Sequence, residues 1–357
     1  MGGTKESGRG GDALRAIGGM LVQREHVFAE DTLRGARNMR ESLRLFALAL
    51  IVSAAMGVAA WAFLSALDAV TGFREAHLVT FALLPVVSVF TAWLYRNHGK
   101  GAARGNNLVI DCAVSGRDIP PVMAPFTFVC SVATHLAGGS AGREGTAVQI
   151  GGTIADIVSR RFKLGECDHQ DLIMAGISAA FGGVFGTPLA GAFFGMEMCF
   201  VGKLQYSAGA YCLVASFVGD AVATALGAGR EAHLIGTVMG EPPAFLAALG
   251  MIGVFGVALN VPITTIMLGV DLFGGAAAPY YVIVSFVGYL VAGHRGVYPA
   301  QRIVTPKWRS LGEDRGHTVD EVIAEHHSKV EGSASKCGVR SRRGRRGGAP
   351  AETAAIG

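Results

Sequence analysis

An arginine and a glutamate stand side by side at 143 and 144, fenced by glycines, in the stretch GGSAGREGTAVQIGG (residues 138–152). The surroundings are strongly apolar, and charged groups held away from water are costly and usually kept for a purpose. Ser140, Ala141 and Gly142 are small. Glu144 then falls in the first turn of the helix-compatible run AVQIGGTIADIV, the expected order at a helix start. The apolar run before it already fills a span, so the new helix begins within the membrane. A helix N-terminus there aims unpaired N–H groups and a partial positive charge at the space ahead of it. Backbone alone then makes an anion site, with the amides of Arg143, Glu144, Gly145 and Thr146 as its donors.

Glu144 has two readings on this basis. It is a helix-capping carboxylate or the ion-pair partner of Arg143, although adjacent residues point in different directions on a helix. Alternatively its carboxylate is a tethered anion that competes with a mobile one, and protonation releases it. A second candidate is GNNLVIDC (105–112). Gly105 permits a sharp turn, and Asn106 and Asn107 can cap the short apolar segment that follows. An asparagine amide also offers two donors to an anion. His135, nine residues before Glu144, reads either as a proton relay or, more ordinarily, as a packed and hydrogen-bonded neighbour.

These residues need a membrane scaffold. Only 16% of the 357 residues are charged, against about 25% in a soluble domain. Uncharged runs near the 20 or so residues that cross a bilayer recur: Leu45–Leu67, Leu78–Tyr95, Ile119–Gly142, Leu172–Met196, Pro242–Val270 and Leu272–Gly293. The chain is therefore expected to be an all-α, polytopic helical membrane protein. Arg34, Arg37, Arg40 and Arg44 flank the first span and a basic tail follows the last, which places both termini in the cytoplasm. The net charge of +4 is then a topology signal and not a nucleic-acid one. Six cysteines without paired spacing suggest neither a metal site nor a disulfide framework. Residues 1–41 read as a cytoplasmic leader, helical from Asp12, 42–303 as one membrane domain, and 304–357 as a largely disordered cytoplasmic tail.

A repeat organises the membrane domain. AGISAAFGGVFGTPLAGAFFGMEMCF (175–200) lines up at an offset of 74 with LGMIGVFGVALNVPITTIMLGVDLFG (249–274). Gly176, Phe181, Gly182, Pro188 and Gly195 match Gly250, Phe255, Gly256, Pro262 and Gly269, and Glu197 faces Asp271. Paired, interrupted hydrophobic segments mark transporters built from repeats, with the ion site at the repeat interface.

GREGTAVQIGG, TPLAGAFFGMEM and GNNLV together resemble the CLC family of anion channels and anion/proton antiporters, over about residues 42–302. The resemblance implies inverted-repeat architecture with broken helices, a homodimer in the lipid bilayer of the cell (inner) membrane, and no cofactor. In the family the GREG-type motif opens a helix at the central anion site and its glutamate is the gate, which Glu144 matches. Chloride transporters of the family carry a G-S-G-I-P-like segment where this chain has Gly105, Asn106, Asn107, Leu108 and Val109. That departure, with Thr146, is similar to the fluoride-exporting branch, and Asn106 matches the filter position.

The implied activity is fluoride export by exchange with protons. A chloride channel or chloride/proton antiporter is the alternative, and a non-transporting relative a third. Nothing resembles an enzyme motif. Glu197 matches the first of two acids that end the equivalent helix in proton-coupled relatives and is a second candidate for the proton route; Met198 holds the second position. Between the repeat units lie only residues 201–248, too few for the spans that precede the first unit. An internal deletion is therefore expected, with no second helix start to complete the site. An anion facing one helix end would lack donors on its other side, and Glu144 would face lipid or a neighbouring subunit. This chain is accordingly expected to show no fluoride efflux.

Overall fold

The structure, a computed structural model, describes residues 7–99, 101–228, 242–292, 296–304, 307 and 317–322. Side chains are described from Arg40 onward, except at 78 and 242–247. The Arg-rich tail after Glu331 and most of HLIGTVMGEPP lie outside the described residues.

Helices dominate. In chain order they are α1 (Ser7–Ala76), α2 (Leu84–His98), α3 (Asn106–Ser115), α4 (Met123–Leu136), α5 (Arg143–Arg161), α6 (Glu166–Phe185), α7 (Pro188–Glu197) and α8 (Gly209–Ala225). After the 16 residues from 226 to 241 come α9 (Pro242–Leu259), α10 (Pro262–Phe273) and α11 (Ala278–Val291). Two short strands, β1 (Phe200–Val201) and β2 (Arg302–Ile303), pair in parallel. The leader is not a separate unit, because α1 runs from it into the first span.

Three helical stretches are long and apolar enough to cross a membrane: Arg40–Ala76, Val79–His98 and Tyr206–Ala225. Two of the other apolar runs are not single spans. Leu172–Met196 breaks between α6 and α7, and Pro242–Val270 breaks between α9 and α10. The cause is the same in both. Gly186 ends α6 in the left-handed region (φ 64°), and Asn260, 74 residues on, follows α9 with φ 59°. Gly and Asn are the residues that tolerate that conformation. Thr187 and Val261 then share one backbone shape, φ −125° and ψ 74° against φ −124° and ψ 69°. Pro188 and Pro262 start the next helices, where the missing N–H costs nothing. The register match seen in the sequence is thus a match of conformation.

Helix α6 lies at the centre, packed against α1, α5, α7 and α8, and is buried continuously from Leu172 to Val184. Its approach to α5 depends on Gly151 and Gly176. A methyl on either would overlap the backbone carbonyl of the other, which is how small residues let membrane helices close up. At the periphery α2 has no buried residue, and Val86, Val89 and Trp93 stand exposed on it. That suits contact with lipid.

The chain after α11 folds back. β2 pairs beside the end of α7, and Gln301 holds it there by donating to the carbonyls of Met198 and Leu259, both at 2.8 Å. Val319 and Val322 are buried with Val201, Tyr289 and Ile303. The region beyond 304 is therefore partly packed on the membrane domain, because its apolar residues find cover there.

Candidate functional site

Helix α5 begins at Arg143 with Gly142 as its N-cap and Glu144 in the first turn, where the spacing of the motif puts it. The Glu144 carboxylate accepts a hydrogen bond from the Tyr298 hydroxyl. The same Tyr298 oxygen receives Asn106 Nδ2 at 3.3 Å. Asn106 Oδ1 accepts from Gln149 Nε2 at 3.0 Å. Gly145 explains its own identity here, since an added Cβ would lie 3.1 Å from Asn106 Nδ2. The Asn106 amide needs that space.

Other predicted residues are placed as follows. Gly105 has φ 56°, the sharp turn expected. Asn106 and Asn107 do not cap α3, which has no side-chain cap bond. They are its first two helical residues, and their amides are spent across the fold. Asn107 Oδ1 accepts from the Ala300 amide at 3.3 Å. The Thr146 amide is not a free donor either. It makes the first helical bond, to Gly142 O at 3.4 Å, while its hydroxyl meets Ser131 Oγ at 2.7 Å. Arg143, at the helix start, is not without a partner.

Glu197 lies apart from this group. Both its oxygens are engaged by the start of α10, from Ile263 N at 3.3 Å, Thr264 N at 2.9 Å and Thr264 Oγ1 at 2.9 Å. His135 sits against its own helix, with Nδ1 2.9 Å from Ser131 O, as a packed neighbour does.

Two expectations drawn from the short second half need correction. Glu144 does not face bare lipid, because Tyr298 meets its carboxylate. Nor is the far side of the site without a donor, because the Tyr298 hydroxyl is one. Tyr298 was missed in the sequence. It stands alone in GVYPAQ, 154 residues from Glu144, with no motif of its own. Gln149 was also missed, although it is a polar residue on an apolar helix, four residues after Gly145 and so on the face that meets Asn106.

Two hollows flank these residues. One, of about 330 Å³, lies against Gly142, Gly145, Thr146 and Gln149. The other, of about 450 Å³, lies against Asn107 and Ala300 and is edged by Arg104, Arg117 and Arg302. Chemically, the Glu144 carboxylate in the first turn of α5 accepts an O–H from Tyr298, whose oxygen in turn accepts an N–H from Asn106.

Comparison with known proteins finds likenesses to the chain. Residues 86–235 match the family described as voltage gated chloride channel. A "Chloride/fluoride channel protein" of Pseudomonas syringae pv. tomato is 43% identical over 194 residues, which are 54% of this chain and 43% of that protein. An uncharacterized protein of Methanocaldococcus jannaschii is 29% identical over 130 residues, 35% of this chain and 31% of that one. The chain thus spans less than half the length of the curated relatives it matches. The crystal structure of a CLC-type fluoride/proton antiporter shares the fold, with a TM-score of 0.68 at 23% identity over 73% of this chain and 98% of that one. With the helix-start motif that lies inside the matched region, these likenesses make the chain similar to the voltage gated chloride channel family over residues 86–235.

Proposed function

We propose that the chain is a membrane anion transporter that exports fluoride in exchange for protons. The observation that carries this reading is the Tyr298 hydroxyl bonded to the Glu144 carboxylate, with Asn106 donating to the same oxygen. Fluoride is small and strongly hydrated, so a site must replace its water with strong donors. An ionised carboxylate takes those donors while the site is empty. Once protonated it is a poor acceptor, and fluoride takes over the Tyr298 O–H and the α5 amides. Each cycle then moves a proton one way and an anion the other. Support for fluoride comes from the asparagine at 106 and from the names of the Pseudomonas relative and of the antiporter that shares the fold. Chloride is the alternative substrate within the same mechanism. A homodimer in the inner membrane with cytoplasmic termini completes the proposal, as the likeness to the family and the basic flanks suggest.

A non-transporting protein is a second reading, favoured by one observation. The 16 residues from 226 to 241 between α8 and α9 leave no room for a further span, at about 20 residues each. One assay decides between them. Purified protein in fluoride-loaded liposomes is expected to release fluoride with proton uptake, and Glu144→Gln to release it without. Absence of efflux above empty vesicles selects the non-transporting reading. Proton uptake driven by an anion gradient through Glu144→Gln removes the gating role.

A further inference from the structure

Behind the site runs a line of hydrogen bonds in which each group donates toward Glu144. The Tyr95 hydroxyl lies 3.1 Å from Thr127 Oγ1. Thr127 Oγ1 donates to Gln149 Oε1 at 2.6 Å, and Gln149 Nε2 donates to Asn106 Oδ1 at 3.0 Å. Asn106 Nδ2 donates to Tyr298, and Tyr298 to the carboxylate. Thr127 has given its one proton to Gln149, so the Tyr95 hydroxyl is the donor at the far end.

An amide side chain has a donor end and an acceptor end, and reversing one reverses its neighbour. If Gln149 turned over, its oxygen would draw the Asn106 N–H toward itself. The Asn106 carbonyl would then face Tyr298 and take its proton. The site would present lone pairs to an anion. Aligned bonds of this kind also polarise one another, which strengthens the terminal donor.

We infer that Gln149, held by Thr127, is a positioning residue that makes Asn106 present N–H and not C=O to the transported anion. This deepens the proposed transport reading and rests on it. The hydrogen bonds of Gln149 run to Thr127 and Asn106 and not to Glu144. Its effect reaches the site only through the orientation of Asn106.

The test uses the full chain with two readouts: fluoride efflux from liposomes, and the fluoride-dependent rise in melting temperature of purified protein, which reports binding without transport. Gln149→Met keeps the bulk but removes both amide ends. The half-saturating fluoride concentration is expected to rise about tenfold, as for loss of one donor to a charged acceptor. Gln149→Glu, which only accepts when ionised, should pull the Asn106 N–H away and cost more than Met does. A serine hydroxyl rotates freely, so in an Asn106→Ser background the two substitutions should lose most of their effect. That non-additivity separates positioning from mere packing. If Gln149→Met, eluting as the native protein does, keeps native half-saturation in both readouts, the inference fails while the transport reading stands. If the native protein shows neither efflux nor a melting shift, both fail. If it binds without efflux, only transport fails, and loss of the shift in Gln149→Met supports the positioning role.

Discussion

Glu197 and Asp271, equivalent residues of the two repeat units, each cap the helix that carries the other. Glu197 ends α7 and takes the amides that open α10, at Ile263 and Thr264. Asp271, near the end of α10, takes the Ala190 amide in the first turn of α7 at 2.9 Å. A carboxylate at a helix N-terminus satisfies orphan donors and suits the positive end of the dipole. The exchange follows from the duplication. Two copies of one helix, facing each other in opposite directions, bring the acid of each to the start of its partner.

The first prediction follows from this exchange. Glu197→Leu strands two buried amides and the Thr264 hydroxyl, and is expected to cost about 2–4 kcal/mol of stability, from ~1–3 kcal/mol per unsatisfied buried group with partial relaxation. Glu197→Gln keeps one acceptor oxygen and should cost less, with proton coupling intact. Melting curves in detergent measure the first effect. Loss of proton coupling in a folded Glu197→Gln would move this residue from cap to proton route.

Tyr298→Phe removes one oxygen and leaves the ring in place. The Glu144 carboxylate and any anion in its stead lose the same donor. Half-saturating fluoride is expected to rise by about ten- to a hundredfold, the range for a hydrogen bond to a charged group of ~1.5–3 kcal/mol. Native affinity in this variant would take the hydroxyl out of the site.

Asn106→Ser replaces two fixed N–H donors with one mobile hydroxyl. Fluoride loses more than chloride, which tolerates weaker donors, so the fluoride-to-chloride efflux ratio should fall. Paired efflux traces measure it, and an unchanged ratio in an active protein would exclude Asn106 from selectivity.

Outside the apolar segments, Lys307 donates to Asn260 Oδ1 at 2.6 Å and lies 3.7 Å over the Tyr289 ring. Burial lowers its pKa from 10.5 to about 7. Between those values the unfolded chain holds a proton that the folded one has released, so stability rises with pH across the window and levels off below about 7. Lys307→Met should flatten that slope in melts taken from pH 7 to about 10. A slope that Lys307→Met leaves unchanged would show that another group causes it.

Much of this site was legible in the sequence because its parts are local. The α5 start is written in four consecutive residues, Gly142 to Gly145. The two breaks are written as a residue able to adopt positive φ two places before a proline. What could not be read was the use of each polar end. Asn106 and Asn107 look like caps because capping is the local option, and Gln149 together with the returning segment at 296–304 offers them better partners. Tyr298 is beyond local reading altogether, since nothing near it in the sequence names Glu144. Apolar runs also overstate spans: a break costs two or three residues and leaves the average hydropathy unchanged.

Tyr298 reaches Glu144 from 154 residues downstream, and that distance is also a time. At ~5–20 residues per second a ribosome needs on the order of ten seconds to go from one to the other. Through that interval the carboxylate sits in the bilayer while its hydroxyl is unmade. Gln301, which staples the returning segment to Met198 and Leu259, arrives three residues later still. On the proposed reading, the nascent anion site lacks one of its donors until this returning segment has been made.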